Sequence, residues 1–356
     1  MSDLSKIDKN YKIETKIKKD DIKFHSVDEE GFQIHGIFKE GENYVRLPKD
    51  VAYTVNEGLE YLHYFTAGGR LRFRTDSPYV ALNINLRSVG KVPHLSLLNC
   101  AGFDLYAAED TKTFIHRGSF IPPYNTDGKH EGIVELEEKK MRDICINFPL
   151  FSGVREVFVG LSSDAKIEKA TPYSNDKPVV FYGSSITNGS AASRPGMAYT
   201  EILSRRYNLD YINLGFSGSA RAEDTIIEYI KNLDMSMYVH DYDHNAPTNE
   251  HLEATHEKMF LAIREAHPDI PIIIMTRPQY ETTESLRRRY DIIKKTYDNA
   301  ISRGDKNVYY LEGSELSALA GNDWSVDRIH PTDLGFFSMA AAVGKVIEKI
   351  LEKNKL

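Results

Sequence analysis

The run Val179-Val180-Phe181-Tyr182 is uniformly apolar and leads directly into Gly183-Ser184-Ser185-Ile186-Thr187-Asn188-Gly189. A serine at the glycine-flanked end of a strand can turn its hydroxyl to a cleft while nearby backbone N–H groups stay free for an anion. Gly/Ser turns after strands are often only turns, so the serine needs a base before it means chemistry. Asp327-Arg328-Ile329-His330-Pro331 offers one near the C-terminus. An aspartate three residues before a histidine can accept from one imidazole nitrogen, fixing the tautomer so that the other nitrogen takes a proton. Pro331 suits a first helical turn and leaves His330 at the helix entrance. Ser185, His330 and Asp327 would then be nucleophile, base and orienter, the set required for acyl transfer.

Two further turns have matching chemistry. Asn213-Leu214-Gly215-Phe216-Ser217-Gly218 follows Tyr211-Ile212, and Asp241-Tyr242-Asp243-His244-Asn245-Ala246 follows the segment 235–240. The Gly218 N–H and the Asn245 amide, with the Ser185 N–H, are candidate donors to an oxyanion. Taken singly, Gly218 and Asn245 read as ordinary turn residues; four matched pieces at four strand ends carry more weight.

Rival chemistries fit less well. His240, Asp241, Asp243 and His244 are metal-ligating types, and a metallohydrolase would use them to make hydroxide, but supporting carboxylates from distant strands are not identifiable. Gly-x-Ser-x-Gly fails at both candidates, since Thr187 and Ser219 stand where the second glycine is needed. A P-loop and a dinucleotide fingerprint are absent from the sequence. A carbohydrate-binding protein with Tyr61, Tyr64, Phe65 and Tyr79 stacked on sugars is a third class; in a sandwich such aromatics are more often core.

These residues need elements to hold them. At 356 residues and roughly 150 per domain, two domains are expected. Up to about residue 175 the apolar residues alternate with polar ones in short runs, as in Arg70-Leu71-Arg72-Phe73-Arg74 and Tyr79-Val80-Ala81-Leu82-Asn83-Ile84. That period implies half-buried antiparallel strands in a β-sandwich. After Thr171-Pro172-Tyr173-Ser174-Asn175-Asp176, continuously apolar runs such as Ile272-Ile273-Ile274-Met275 alternate with helical spacing over 199–207, 222–233, 251–266, 285–303 and 332–353. This is the pattern of a parallel α/β sheet covered on both faces. The expected division is an arm (1–30), a sandwich (31–175) and an α/β domain (176–356).

Composition excludes little but points one way. The formal charge of −7 argues against a nucleic-acid partner, which needs a concentrated basic surface; Arg287-Arg288-Arg289 reads as the wet face of a helix. No segment reaches the roughly 18 apolar residues of a membrane span, and residues 1–21 lack a signal-peptide core, so the expectation is a cytoplasmic protein without a membrane partner. Cys100 and Cys145 are expected as buried thiols.

Gly183-Ser184-Ser185-Ile186, Gly218, Asn245 and Asp327-x-x-His330 resemble, in order and spacing, the four blocks of the SGNH (GDSL-like) hydrolase superfamily, with Ser184 where Asp is usual. Gly102-Phe103-Asp104-Leu105-Tyr106 and Gly68-Gly69-Arg70-Leu71-Arg72-Phe73 look like the branch bearing an N-terminal Gly-x-Asp-Leu-Tyr domain. The resemblance implies a flavodoxin-like three-layer α/β domain preceded by an antiparallel jelly-roll sandwich. It implies Ser185, His330 and Asp327 as the catalytic set and Ser185, Gly218 and Asn245 as the oxyanion hole. It further implies esterase or acyltransferase activity without cofactor or metal. A small acyl ester, acetyl on a carbohydrate hydroxyl by preference, is the expected small-molecule or oligosaccharide substrate. Arg194, Arg277 and Trp324 are expected near it, and a homodimer through the sandwich is an open expectation.

Overall fold

A computed structural model describes residues 17–353. The N-terminal part is two antiparallel sheets, strands being numbered in chain order. One sheet runs β1 (Ile22–Ser26), β11 (Val154–Ser162), β6 (Tyr79–Leu86) and β9 (Lys129–Glu135). The other runs β12 (Ile167–Glu168), β5 (Arg70–Thr75), β10 (Arg142–Asn147), β7 (Phe103–Ala108) and β8 (Ile115–Phe120), with β2 (Gln33–His35) also on β5. Phe73, Leu82, Ile84, Phe103, Ile144 and Val159 are buried in the core, where β-branched and aromatic side chains suit pleated surfaces. A hairpin of β3 (Phe38–Glu40) and β4 (Asn43–Val45) leads to the short helices α1 (Lys49–Val55) and α2 (Glu57–Leu62); α3 (Leu97–Ala101) precedes β7.

Two sandwich expectations shift. β1 falls inside the stretch expected as an arm, yet it pairs with β11; the arm before residue 17 lies outside the described residues. The alternation in β5 predicts arginines facing water, whereas Arg70 and Arg72 are 1% and 2% exposed. Their face of the sheet packs on the second domain. The Arg70 guanidinium donates to Asp210 Oδ1 (2.5 Å) and the Tyr211 carbonyl (2.9 Å), and lies 3.8 Å from the Tyr211 ring centroid. Of the proposed sugar-stacking aromatics, Phe65 and Tyr79 are core and Tyr61 is exposed.

The C-terminal part has a parallel sheet of order β14 (Tyr211–Gly215), β13 (Val179–Gly183), β15 (Met237–Asp241), β16 (Ile272–Met275) and β17 (Val308–Leu311). Helices α5 (Tyr199–Tyr207), α9 (Gly313–Ser317) and α10 (Asp333–Lys353) pack together, as do α6 (Asp224–Lys231), α7 (Asn249–Ala266) and α8 (Glu284–Ser302). This is the helix–sheet–helix architecture with the 2-1-3-4-5 order of flavodoxin-like folds, and β13 lies at its switch point, where ligands bind at strand carboxyl ends. Register aligns Gly183 with Gly215 on one side and Asp241 on the other, so three of the motif turns leave the sheet at one level. Among the described residues no helix is long and apolar enough to cross a membrane. Cys100 and Cys145 are buried free thiols.

Candidate active site

At the end of β13 the chain enters a single helical turn, α4 (Ser185–Asn188), whose N-cap is Ser184. The Ser184 hydroxyl accepts from the Ile186 N–H (3.1 Å), which is the capping contact a short acidic or hydroxyl side chain supplies at this position. Ser185 is the first helical residue, so its own N–H has no partner within the helix. Its side chain is half-buried, open on one side.

The Ser185 hydroxyl lies 3.0 Å from His330 Nε2, although 145 residues separate them. His330 Nδ1 lies 2.7 Å from Asp327 Oδ2, and Asp327 Oδ1 accepts from the N–H groups of Ile329 (3.0 Å) and His330 (2.7 Å). A tight loop makes this possible. The Val326 N–H donates to the His330 carbonyl (2.9 Å), and Arg328, at φ +69°, turns the chain so that the Asp327 carboxylate faces the backbone that follows it. Burial works against charge on Asp327, but the backbone and side-chain hydrogen bonds from His330 outweigh it and hold the carboxyl below its ordinary value. An ionised Asp327 keeps the proton on Nδ1 and leaves Nε2 as the acceptor for the serine proton.

Gly218 and Asn245 meet beyond the ends of β14 and β15, the two strands that flank β13. Gly218 sits at φ +71°, a conformation glycine adopts without strain, and it is exposed. One polar atom of the Asn245 amide lies 3.3 Å from Gly218 N and the other 3.0 Å from the Phe216 carbonyl. The amide nitrogen donating to the Phe216 carbonyl and the oxygen accepting from the Gly218 N–H satisfies both groups.

Of the residues expected at the mouth, the two arginines are engaged by protein carboxylates and the tryptophan is buried. Arg194 donates to Asp104 Oδ2 (2.6 Å) and the Tyr106 hydroxyl (2.6 Å), joining the Gly-x-Asp-Leu-Tyr segment to the second domain. Arg277 binds Asp243 through Nε (3.1 Å) and Nη2 (2.9 Å), and Trp324 is 4% exposed. The metal-type cluster does not converge either. Asp243 also binds Arg289 (2.7 Å), so that although burial opposes its charge the two arginines hold its carboxyl far below the ordinary range. Asp241 accepts from Thr187 Oγ1 (2.8 Å) and the Tyr199 hydroxyl (3.2 Å), and His240 stands 4.3 Å, ring to ring, from His256 in the interior. Arg289 is thus turned inward, while Arg287 and Arg288 face solvent as expected.

Two more histidines stand near the site; His94 carries no signal in the sequence, whereas His244 belongs to the metal-type run beside Asn245 that the sequence already singles out. His94, in a loop of the sandwich, places Nε2 4.0 Å from Asp327 Oδ2 and its ring 5.5 Å from that of His330. Among the described residues, His94, Asp327 and His330 are the group of metal-type donors that the fold does bring together. His244, beside Asn245, has its Nε2 buried without a partner, and burial, aided by the charge of Arg277, pushes its pKa down to about 3. The His94 placement depends on contact between segments far apart in the chain.

A flavodoxin-like sheet behind a jelly-roll sandwich, with a serine turn at the switch point and an Asp-x-x-His loop before the last helix, defines the SGNH hydrolase fold. Residues 176–348 match the GDSL-like lipase/acylhydrolase family, and residues 22–167 match the family described as the GxDLY N-terminus of SGNH-hydrolase-type esterases. The chain belongs to the SGNH/GDSL-like hydrolases, in the branch with the GxDLY domain, and this membership makes it an acyl esterase or acyltransferase. The sequence matches no curated protein. Among solved structures, one described as a GDSL-like lipase from Bacteroides ovatus is 28% identical, with a TM-score of 0.82 over 93% of this chain and 98% of that one. A salicylyl-acyltransferase from a tetracycline biosynthetic pathway is 18% identical, with a TM-score of 0.75 over 94% and 98%. A family two carbohydrate esterase from Clostridium thermocellum is 14% identical, with a TM-score of 0.60 over 91% and 99%. The last two are likenesses of fold.

Proposed function

We propose that this protein is a serine esterase that removes a small acyl group, acetyl by preference, from a carbohydrate hydroxyl. The observation that carries the chemistry is the hydrogen-bonded series Ser185 Oγ, His330 Nε2, His330 Nδ1 and Asp327 Oδ2, at 3.0 and 2.7 Å. His330 takes the Ser185 proton as the oxygen attacks the ester carbonyl, and the carbonyl oxygen, now anionic, takes donors from Ser185 N–H, Gly218 N–H and Asn245. Collapse breaks the ester bond, and His330 returns the proton to the departing alcohol. Water then attacks the acyl-serine with His330 again as base, releasing the acid and restoring the serine.

The carbohydrate preference is supported by the two-domain likeness to carbohydrate esterases over more than nine-tenths of each chain. The acyltransferase neighbour gives a second reading, in which an alcohol replaces water on the same acyl-enzyme. Acetylated mono- and oligosaccharides, assayed for acetate with and without an acceptor alcohol, test both. Acetate release from the sugars supports the esterase reading; a new ester formed at the expense of acetate supports the transferase. Turnover of a generic acetyl ester with every sugar ester untouched would remove the carbohydrate part, and wild-type turnover by Ser185→Ala would remove the mechanism.

A further inference from the structure

The Gly218 turn is held from behind by the other domain. Arg46, directly after β4 in the sandwich, is 1% exposed. Its guanidinium donates to the carbonyls of Gly215 (2.8 Å), Asn213 (3.2 Å) and Leu62 (3.1 Å) and lies 4.9 Å from the Phe216 ring centroid. Among the described residues no carboxylate comes within ion-pairing distance of it, and its Nε has no partner. An interior cation without a counter-ion is costly, and glue between domains needs no net charge. Its location suggests a use, because two of the three carbonyls it binds belong to β14, one of them the last residue of the strand that delivers Phe216, Ser217 and Gly218.

Two further contacts from the same sandwich segment reach this turn independently. The Asn56 amide donates to the Ser219 carbonyl (3.1 Å) and to Glu223 Oε1 (2.6 Å). Gly58 lies so close to Ser219 that a Cβ there would stand 1.9 Å from the Ser219 hydroxyl oxygen. The turn itself closes through Ser219 N–H to the Phe216 carbonyl (3.0 Å). The donor at Gly218 is thus fixed on both flanks by residues of the sandwich.

We infer that Arg46 is a positioning residue for the oxyanion hole, the charged element of a clamp through which the sandwich sets the direction of the Gly218 N–H. The inference rests on the Ser185 reading above and extends it. The clamp offsets the negative potential of the strand-end carbonyls where negative charge develops on the substrate, and this matters in the transition state more than in the ground state.

The test compares wild type with Arg46→Met, Arg46→Lys and Asn56→Ala in the full chain. The measurements are kcat and KM on a soluble acetyl ester, inhibition by a boronic acid that forms a tetrahedral anion on the serine, and Ser185 labelling by a fluorophosphonate. Losing an oxyanion donor outright costs about 100- to 1,000-fold in kcat, so a misdirected one is expected to cost about 10- to 100-fold in Arg46→Met. KM stays within about two-fold, boronate affinity falls in step with kcat, and Arg46→Lys recovers most of both. Asn56→Ala shows a smaller loss in the same direction and carries the test if Arg46→Met does not fold. Folded Arg46→Met, or in its place Asn56→Ala, with unchanged kcat and boronate affinity would overturn the inference while labelled Ser185 left the esterase reading standing. Wild-type Ser185 that resists the label would end both.

Discussion

In the proposed mechanism His330 accepts the serine proton in the tautomer with hydrogen on Nδ1, the one favoured by Asp327 Oδ2 at 2.7 Å, while Asp327 Oδ1 accepts from two backbone N–H groups. Removing the base and weakening the orienter should therefore differ. Ser185→Ala and His330→Ala are each expected to reduce kcat by about 10⁵- to 10⁶-fold, with Asp327→Asn nearer 10⁴-fold, as such units behave when one member is lost. Because Asp327 is held by its own loop, Asp327→Asn leaves KM close to wild type. Steady-state kinetics on an acetyl ester decide the order; a larger loss in Asp327→Asn than in His330→Ala would mean that His330 is not the base. Circular dichroism of Ser185→Ala should match wild type, since among the described residues the half-buried hydroxyl bonds only to His330.

At the scale of elements, helices α5, α6, α7, α8 and α10 and strands β13, β15 and β16 are legible because both faces of a parallel sheet must be apolar and covered, which stamps continuous runs and 3.6-residue spacing on the chain. The Asp-x-x-His loop is legible for the same local reason. The arginine face of β5 is not, since period-two alternation says which side chains share a face and not what that face meets. Arg46, His94 and the inward turn of Arg289 are invisible on the same ground. β17 is four residues long, with Tyr309 and Tyr310 only half-buried, too brief to register. One consequence of the element packing is measurable. Asp241 ends β15 and is wholly buried against Thr187 of α4 and Tyr199 of α5; burial pushes its pKa from 3.8 up to about 7 despite those hydrogen bonds. Between those values the unfolded chain releases the proton and the folded chain keeps it, so this group's contribution to stability falls as pH rises from about 4 to about 7 and is level above. Asp241→Asn is neutral at every pH and can retain the acceptor. Urea unfolding of the variant relative to wild type should therefore improve across that window, and equal slopes would mean that Asp241 ionises freely in the folded state.

Across the whole molecule, the two domains share buried polar groups of a kind that separately folding units seldom exchange. Arg70 reaches Asp210 and Tyr211, Asn99 donates to the Gly189 (3.0 Å) and Ala192 (2.8 Å) carbonyls, and Arg194 reaches back to Asp104. Asp104 is fully buried and also accepts from the Gly196 N–H (2.8 Å) and the Asn147 amide (2.7 Å). Asp104→Ala leaves the Arg194 charge half-buried beside an empty acceptor site, and breaking such a pair costs about 3–5 kcal/mol. The chain offers a clean way to see where that cost is felt, because its one tryptophan, Trp324, lies buried in the second domain while Asp104 belongs to the first. If the domains unfold as one cooperative unit, Asp104→Ala shifts the Trp324 fluorescence transition by the same free energy as the far-ultraviolet circular dichroism transition. A tryptophan transition left in place while part of the dichroism signal moves would show domains that unfold separately, and the clamp on the Gly218 turn would then have to be a contact that either domain can lose without unfolding.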